Sequence, residues 1–315
     1  MPSPRRIDFH FHLIPQFYQQ AAYAAGAGPA IGRYPDWSPE LALELMDKSS
    51  IDVALTSLAQ PGVQFGDPKQ GAALARRCNE YASELAARWP NRFGAFATVP
   101  MWDMGEATAE IEHALGGLKH QGVCLFASYG DKFLGDKHFD PVMDVLNARD
   151  AVVFVHPALH PASRKLDLPW PGFIMEYVFD TTRAAVNLVF SGAVERFPRI
   201  RFVLAHAGGL MPYFAWRLSI SPMIDKRLEQ LSPADIYARL GRFWYDNALA
   251  PTAETLACVE RLAPNGQVVF GSDWPFANAR VISEAVKTYE AVSIPHKQRE
   301  AIDRGNALSL FPQWA

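Results

Sequence analysis

Nine histidines are spread over 315 residues, and four of them stand where short apolar runs end. They are His10 and His12 in "RIDFHFH", His156 in "AVVFVHP" and His206 in "RFVLAHAGG"; Asp273 holds the same place in "QVVFGSDWPF". Side chains two apart on a strand share a face, so the His10 and His12 rings can converge on one point. Two imidazoles, a third from another strand and a carboxylate make a ligand set suited to zinc, manganese or iron. An isolated H-x-H pair is more often two buried, hydrogen-bonded histidines. The recurrence of histidine at strand ends is what carries the metal reading. For His206 a further ligand and an unligated acid/base are both open, since an imidazole titrates near neutral pH; a structural role is the third option. The glycines that follow it permit a sharp turn. His113, His120, His138, His160 and His296 fall on helix or loop patterns and offer less.

These side chains need strands to position them, and the chain supplies eight candidate runs. They lie near residues 6–12, 53–59, 92–100, 122–128, 151–157, 201–209, 243–249 and 267–276. Several are almost continuously apolar, as parallel strands buried on both faces are. Helical patterns separate them. "SPELALELMDKSS" starts with a Ser38 cap and Pro39 at the first helical position. "KQGAALARRCNEYASELAARW", "GEATAEIEHALGGL" and "TTRAAVNLVFSGAVERF" space their apolar residues by three and four. Eight strands alternating with helices predict an α/β fold, a (β/α)8 TIM barrel, whose active site lies at the carboxyl ends of the strands. A doubly wound open sheet is the alternative; no glycine-rich phosphate loop follows the first run. Long connections follow strands 1 (residues 13–37) and 5 (residues 157–180), and the aromatic content of the second suits a pocket wall or lid.

Composition narrows the function classes. With 49% apolar and 20% charged residues, this is an ordinary soluble chain with a sizeable core, read as one domain over residues 1–315. A net charge of −3 gives no electrostatic case for nucleic acid or an anionic membrane. Cys78, Cys124 and Cys258 are scattered and odd in number. That argues against a disulfide framework or a thiolate zinc site and for a reducing, cytoplasmic setting. No run approaches the roughly 18 apolar residues of a membrane span.

"DFHFH", "VFVHP", "LAHAGG" and "GSDWPF" resemble the metal-binding strand ends of the amidohydrolase superfamily. The likeness is to the branch typified by aminocarboxymuconate-semialdehyde decarboxylase, which includes hydroxybenzoate decarboxylases. "FDTTRAAVNLVFSGAVERFPRIRFVLAHAGG" and "GNALSLF" extend it through most of the chain. The resemblance implies that His10, His12, His156 and Asp273 are metal ligands and that His206 is the catalytic histidine. It also implies that Arg217 binds substrate carboxylate in a neighbouring subunit, hence a homodimer. Two departures stand out. "GVCLFASYG" lacks the fourth-strand lysine that bridges two metals in dinuclear branches, so one divalent ion is expected, zinc first and manganese second. In "DWSPELALELMD", Ala42 stands where the branch has a carboxylate-binding arginine, which argues for a substrate with one carboxylate unless Arg33 or Lys165 substitutes.

The leading expectation is a carboxy-lyase: non-oxidative decarboxylation of a hydroxylated aromatic acid, one like 6-methylsalicylate. The metal would hold the carboxylate and an ortho oxygen. Asp273 or His206 would protonate the ring carbon, and Phe173, Tyr177 and Trp274 would wall the ring, although core packing is the commoner fate of aromatic side chains. The alternatives are a metal-dependent hydrolase of a lactone, ester or amide, and a non-catalytic metal-binding barrel.

Overall fold

The computed structural model describes residues 5–165, 169–263 and 266–315. A strand falls on each of the eight apolar runs, the second beginning two residues before its run: β1 (Arg6–His12), β2 (Ile51–Ser57), β3 (Phe93–Thr98), β4 (Gly122–Phe126), β5 (Val152–His156), β6 (Arg201–Leu204), β7 (Trp244–Asp246) and β8 (Val268–Val269). Each pairs in parallel with the next. The ring closes where the chain beyond β8 meets β1: Phe9 N–H donates to Phe270 O at 2.9 Å and His12 N–H to Trp274 O at 2.7 Å. With the intervening helices packed outside, this is the expected (β/α)8 barrel.

The helices begin where their caps dictate. In α2 (Pro39–Lys48) the Ser38 side chain accepts from Leu41 N–H, and in α3 (Pro68–Arg88) Asp67 accepts from Lys69 and Gln70. Such caps satisfy N–H groups that have no partner inside the helix. The long connections have more structure than expected. Residues 13–37 contain α1 (Gln16–Ala24), and the chain after β5 enters a long helix at Phe173. That helix, here α6 (Phe173–Phe190), follows α4 (Met104–Ile111) and α5 (Asp140–Ala148). Residues 166–168 of the segment lie outside the described residues. A hairpin, Ser128–Tyr129 against Lys132–Phe133, follows β4. A short helix, α7 (Ala193–Arg196), precedes β6, and α8 (Met211–Ser219) follows it.

The barrel interior is divided along its axis. Ile7, Phe9, Val53, Leu55, Phe96, Phe154, Val203 and Val269 form a buried apolar cluster, joined by Phe311 and Trp314 from the C-terminus. Phe11 instead packs outward with Ala42, Leu45 and Met46 of α2. Strict alternation would put Phe9 and Phe11 on one face; a bulge breaks it. Asp8 pairs with Ala54 and Phe11 with Thr56, three steps on β1 against two on β2. The extra residue rotates the strand, so His10 and His12 face the axis directly above Phe9. His10 lies 4.9 Å from Phe154, ring centre to ring centre.

Candidate metal centre and active-site pocket

Three imidazoles and a carboxylate meet on top of this aromatic floor. His10 and His12 come from β1, His156 is the last residue of β5, and Asp273 lies four residues beyond Val269 at the end of β8. All four are buried, and their candidate ligand atoms lie within 4.8 Å of one another. His10 Nε2 and His12 Nε2 each stand 3.2 Å from Asp273 Oδ1. Donors of a tetrahedral site with bonds of about 2.0–2.1 Å are spaced by roughly 3.3 Å. His10 Nε2 is buried without a hydrogen-bond partner despite that proximity. A buried polar atom left without a partner is costly, and a cation between these groups removes the cost.

The outer nitrogens fix the orientation of the inner ones. His10 Nδ1 donates to Asp246 Oδ2 at 2.7 Å, and His12 Nδ1 lies 3.2 Å from both the carbonyl and the hydroxyl oxygen of Ser57. His156 Nδ1 donates to Pro157 O at 2.8 Å. With each Nδ1 engaged, every ring presents Nε2 inward, the arrangement that sets tautomer and basicity in histidine metal sites.

Charge and burial act together here. Burial disfavours a charged His10, but Asp246 and Asp273 on either side prevail and push its pKa up to about 10. A bound cation takes the place of that proton. Burial holds His12 below its ordinary value, and burial with the neighbouring His12 and His10 charges holds His156 well below it. For Asp273, burial works toward the neutral acid, yet the neighbouring His10 charge prevails and keeps the carboxyl well below the usual range. Neutral imidazoles and an ionised carboxylate are the forms that bind metal.

His206 approaches from the side, its ring centre 4.8 Å from that of His10. Its Nδ1 donates to Ala248 O at 3.1 Å, leaving Nε2 as the nitrogen available to a substrate. The backbone is held in an uncommon state: His206, Ala207 and Asp273 all have φ between 53° and 65°. Left-handed non-glycine residues persist only where their surroundings impose them. Asp246 Oδ1 accepts from His206 N–H at 2.8 Å, and Asp273 N–H donates to His10 O at 2.7 Å. Gly271 is obligatory between β8 and Asp273, because a Cβ there would sit 2.8 Å from that of His10.

Asp246, the last residue of β7, was not anticipated. One carboxylate joins the His10 ring to the His206 backbone. The signal was present, since Asp246 is the acidic residue of the "FWYDNAL" run and ends its strand as the histidines end theirs. Together with His10 and His206 it forms a second group of candidate metal-binding side chains, with no member outside this site.

A cavity of about 450 Å³ opens above the cluster. His156, His206 and Asp273, with Gln60, Thr252 and Thr255, are its polar lining; Phe173, Tyr177, Leu249 and Phe276 are among the apolar and aromatic walls. Phe173 is therefore where a wall residue was expected. Trp274 is not. It is buried away from the cavity, stacked on Phe11 at 4.8 Å in the layer between barrel and helices. The left-handed turn at Asp273 sends the carboxylate inward and the indole outward, and Phe276, 5.4 Å from the His12 ring, takes the wall position. Arg217 stands exposed on α8 and does not line the cavity; nor do Arg33 and Lys165. Among the described residues, no lysine or arginine lines it.

A family model described as Amidohydrolase matches residues 7–313. The chain belongs to the amidohydrolase family. It is 34% identical to 6-methylsalicylic acid decarboxylase of Penicillium expansum over 313 residues, which cover 98% of this chain and 96% of that protein. Identity to gamma-resorcylate decarboxylase of Rhizobium radiobacter is 30%, with 85% of each chain covered. Among solved structures, 5-carboxyvanillate decarboxylase of Sphingomonas paucimobilis superposes with a TM-score of 0.86 at 25% identity, covering 98% of this chain and 99% of that one. The relatives are aromatic-acid decarboxylases, as the strand-end motifs led one to expect.

Proposed function

We propose that this amidohydrolase is a metal-dependent carboxy-lyase that removes carbon dioxide, without oxidation, from a hydroxylated aromatic acid bearing one carboxylate. The observation that carries the reading is the pairing of a buried three-histidine, one-aspartate cluster with an aromatic-walled cavity that no lysine or arginine lines among the described residues. Among the described residues of one chain, a substrate carboxylate in that cavity finds its positive charge at the cluster. A second carboxylate would be buried without a counter-charge, which is expensive. The decarboxylase relatives support the same class.

His10, His12, His156 and Asp273 would hold one divalent ion, zinc first and manganese second. When bound, it supplies the charge that anchors and orients the carboxylate and its ortho oxygen. His206 carries the proton. Its Nδ1 is committed to Ala248 O, so Nε2 exchanges the proton with the ring carbon bearing the carboxylate. As that C–H bond forms, the C–C bond to the carboxylate breaks, and its electron pair restores the aromatic ring. Asp273 would be committed to the cation as a ligand, and a carboxylate bound to a cation is a poor proton donor. Phe173, Tyr177 and Phe276 hold the ring flat and keep water away.

A panel of hydroxybenzoates assayed for carbon dioxide release, beside lactone hydrolysis, tests the reaction. Replacing His206 by alanine should leave about one equivalent of metal in place and lower turnover by roughly 10²–10⁴-fold. Lactone turnover without carbon dioxide release would transfer the site to hydrolysis, and metal loss in that variant would make His206 a ligand.

The same reading extends to assembly. Tyr213 and Trp216 on α8 and Met223 and Ile224 just after it are 68–76% exposed, and Arg217 lies among them. Clustered apolar exposure of this kind marks an interaction surface. We assign it to a second copy of the chain, with Arg217 at the join; Trp216→Glu should convert a dimer to a monomer in light scattering. No helix among the described residues is long and apolar enough to cross a membrane. The three free cysteines suit the reducing cytoplasm.

A further inference from the structure

Beside the metal-facing pocket lies a second cavity, of about 470 Å³, that the proposed chemistry does not use. Met101 and Trp102 beyond β3, Phe126 of β4, the hairpin after β4, and Leu159 and Pro161 beyond β5 enclose it. Gln60 lines both cavities. The wall between them is thin. Tyr177, from the pocket side, donates its hydroxyl to Gln60 Oε1 at 2.8 Å. Phe126, from the far side, meets the His156 ring edge-on at 6.0 Å, and His156 in turn lies 6.3 Å from the Tyr177 ring.

This wall is braced. One turn beyond Tyr177 on α6, the buried Asp180 accepts from Ser128 Oγ and from Ala158 N–H, each at 2.8 Å. Ser128 and Ala158 both line the second cavity. The helix that carries Tyr177 is thereby tied to the hairpin and to the loop after β5. A ligand group pressing on Tyr177 meets a fixed element.

We propose that the Gln60–Tyr177 pair is a specificity-determining partition. Latched, it confines the aromatic ring to the metal-facing pocket and rejects long ring substituents. Shortened, it joins the two cavities and admits such a substituent to the second. A long group entering the latched protein must break the hydrogen bond and leave both polar partners unpaired, whereas a truncated Gln60 imposes neither steric nor polar opposition. The inference rests on reading the pocket as the seat of an aromatic carboxylate.

The test uses metal-loaded wild type, Gln60→Ala and Tyr177→Phe. Each is titrated calorimetrically, and assayed for carbon dioxide release, with salicylate and with salicylates carrying a butyl group at each open ring position. For at least one butyl isomer, Gln60→Ala should raise binding and kcat/KM relative to salicylate by about tenfold or more, within the range of pocket-size discrimination. Tyr177→Phe should move the same ratio less, because its ring remains. An unchanged ratio in Gln60→Ala, or a parallel fall for small and large ligands, overturns the proposal. Binding of salicylates by wild type with no carbon dioxide release would sink the decarboxylase reading, and the binding ratio would still decide the partition. A crystal structure of Gln60→Ala with two separate cavities overturns it whatever the ligands do.

Discussion

Phe9 and His10 are adjacent on one strand yet belong to different environments. Below, Phe9, Phe96, Phe154 and Phe311 pack with neighbouring ring centres 5.6–5.7 Å apart, stacked or tilted. Above, His10, His12 and His156 crowd to 4.8–5.2 Å, and each ring is held by a named hydrogen bond. The floor is specified by shape and the rim by directed polar contacts. The floor therefore bears on stability, while the rim bears on what is bound, and β5 repeats the division with Phe154 below and His156 above.

Substitution on either side of that boundary can break the contrast. The largest effect should follow His156→Ala, which removes one ligand. Metal measured by elemental analysis should fall from about one equivalent per chain to near none, and carbon dioxide release should go with it, while the thermal midpoint of the metal-free protein barely moves. Retention of metal would erase the distinction. Next comes Phe154→Ala, which excavates the floor beneath His10. Chemical denaturation should show a loss of about 3–5 kcal/mol, with metal still bound under native conditions. A smaller cost would mean that the floor collapses to fill the void. The finest probe is Asp246→Asn, near-isosteric but unable to accept with both side-chain atoms. It should weaken metal binding by about 10–100-fold in a competition titration and leave unfolding almost unchanged.

Much of this was legible because the chemistry-bearing residues end their strands. The runs that became β1 to β7 announced themselves through apolar, β-branched and aromatic content, and four histidines marked their carboxyl ends. The eighth was harder. Only Val268 and Val269 form a regular strand, and the chain then follows β1 through scattered hydrogen bonds to reach Asp273. Trp274 misled because it is an aromatic next to Asp273, whereas neighbours on an extended chain face opposite ways: with Asp273 inward, the indole packs outward on Phe11. The bulge in β1 was invisible for a related reason: it is a mismatch between two strands, and a single sequence records only one of them. Asp246 went unremarked because a lone acidic residue has no spacing motif, and its meaning appears only when His10 and His206 arrive from elsewhere.

The bulge also sets how much editing the first strand tolerates. Flattening it with every residue kept would turn the imidazoles toward the helices and Phe11 into the cavity, and deleting Phe9 or His10 would restore alternation only by removing a floor ring or a metal-facing imidazole. The first strand must keep its odd residue, and any graft of this centre onto another barrel must carry that irregularity with it.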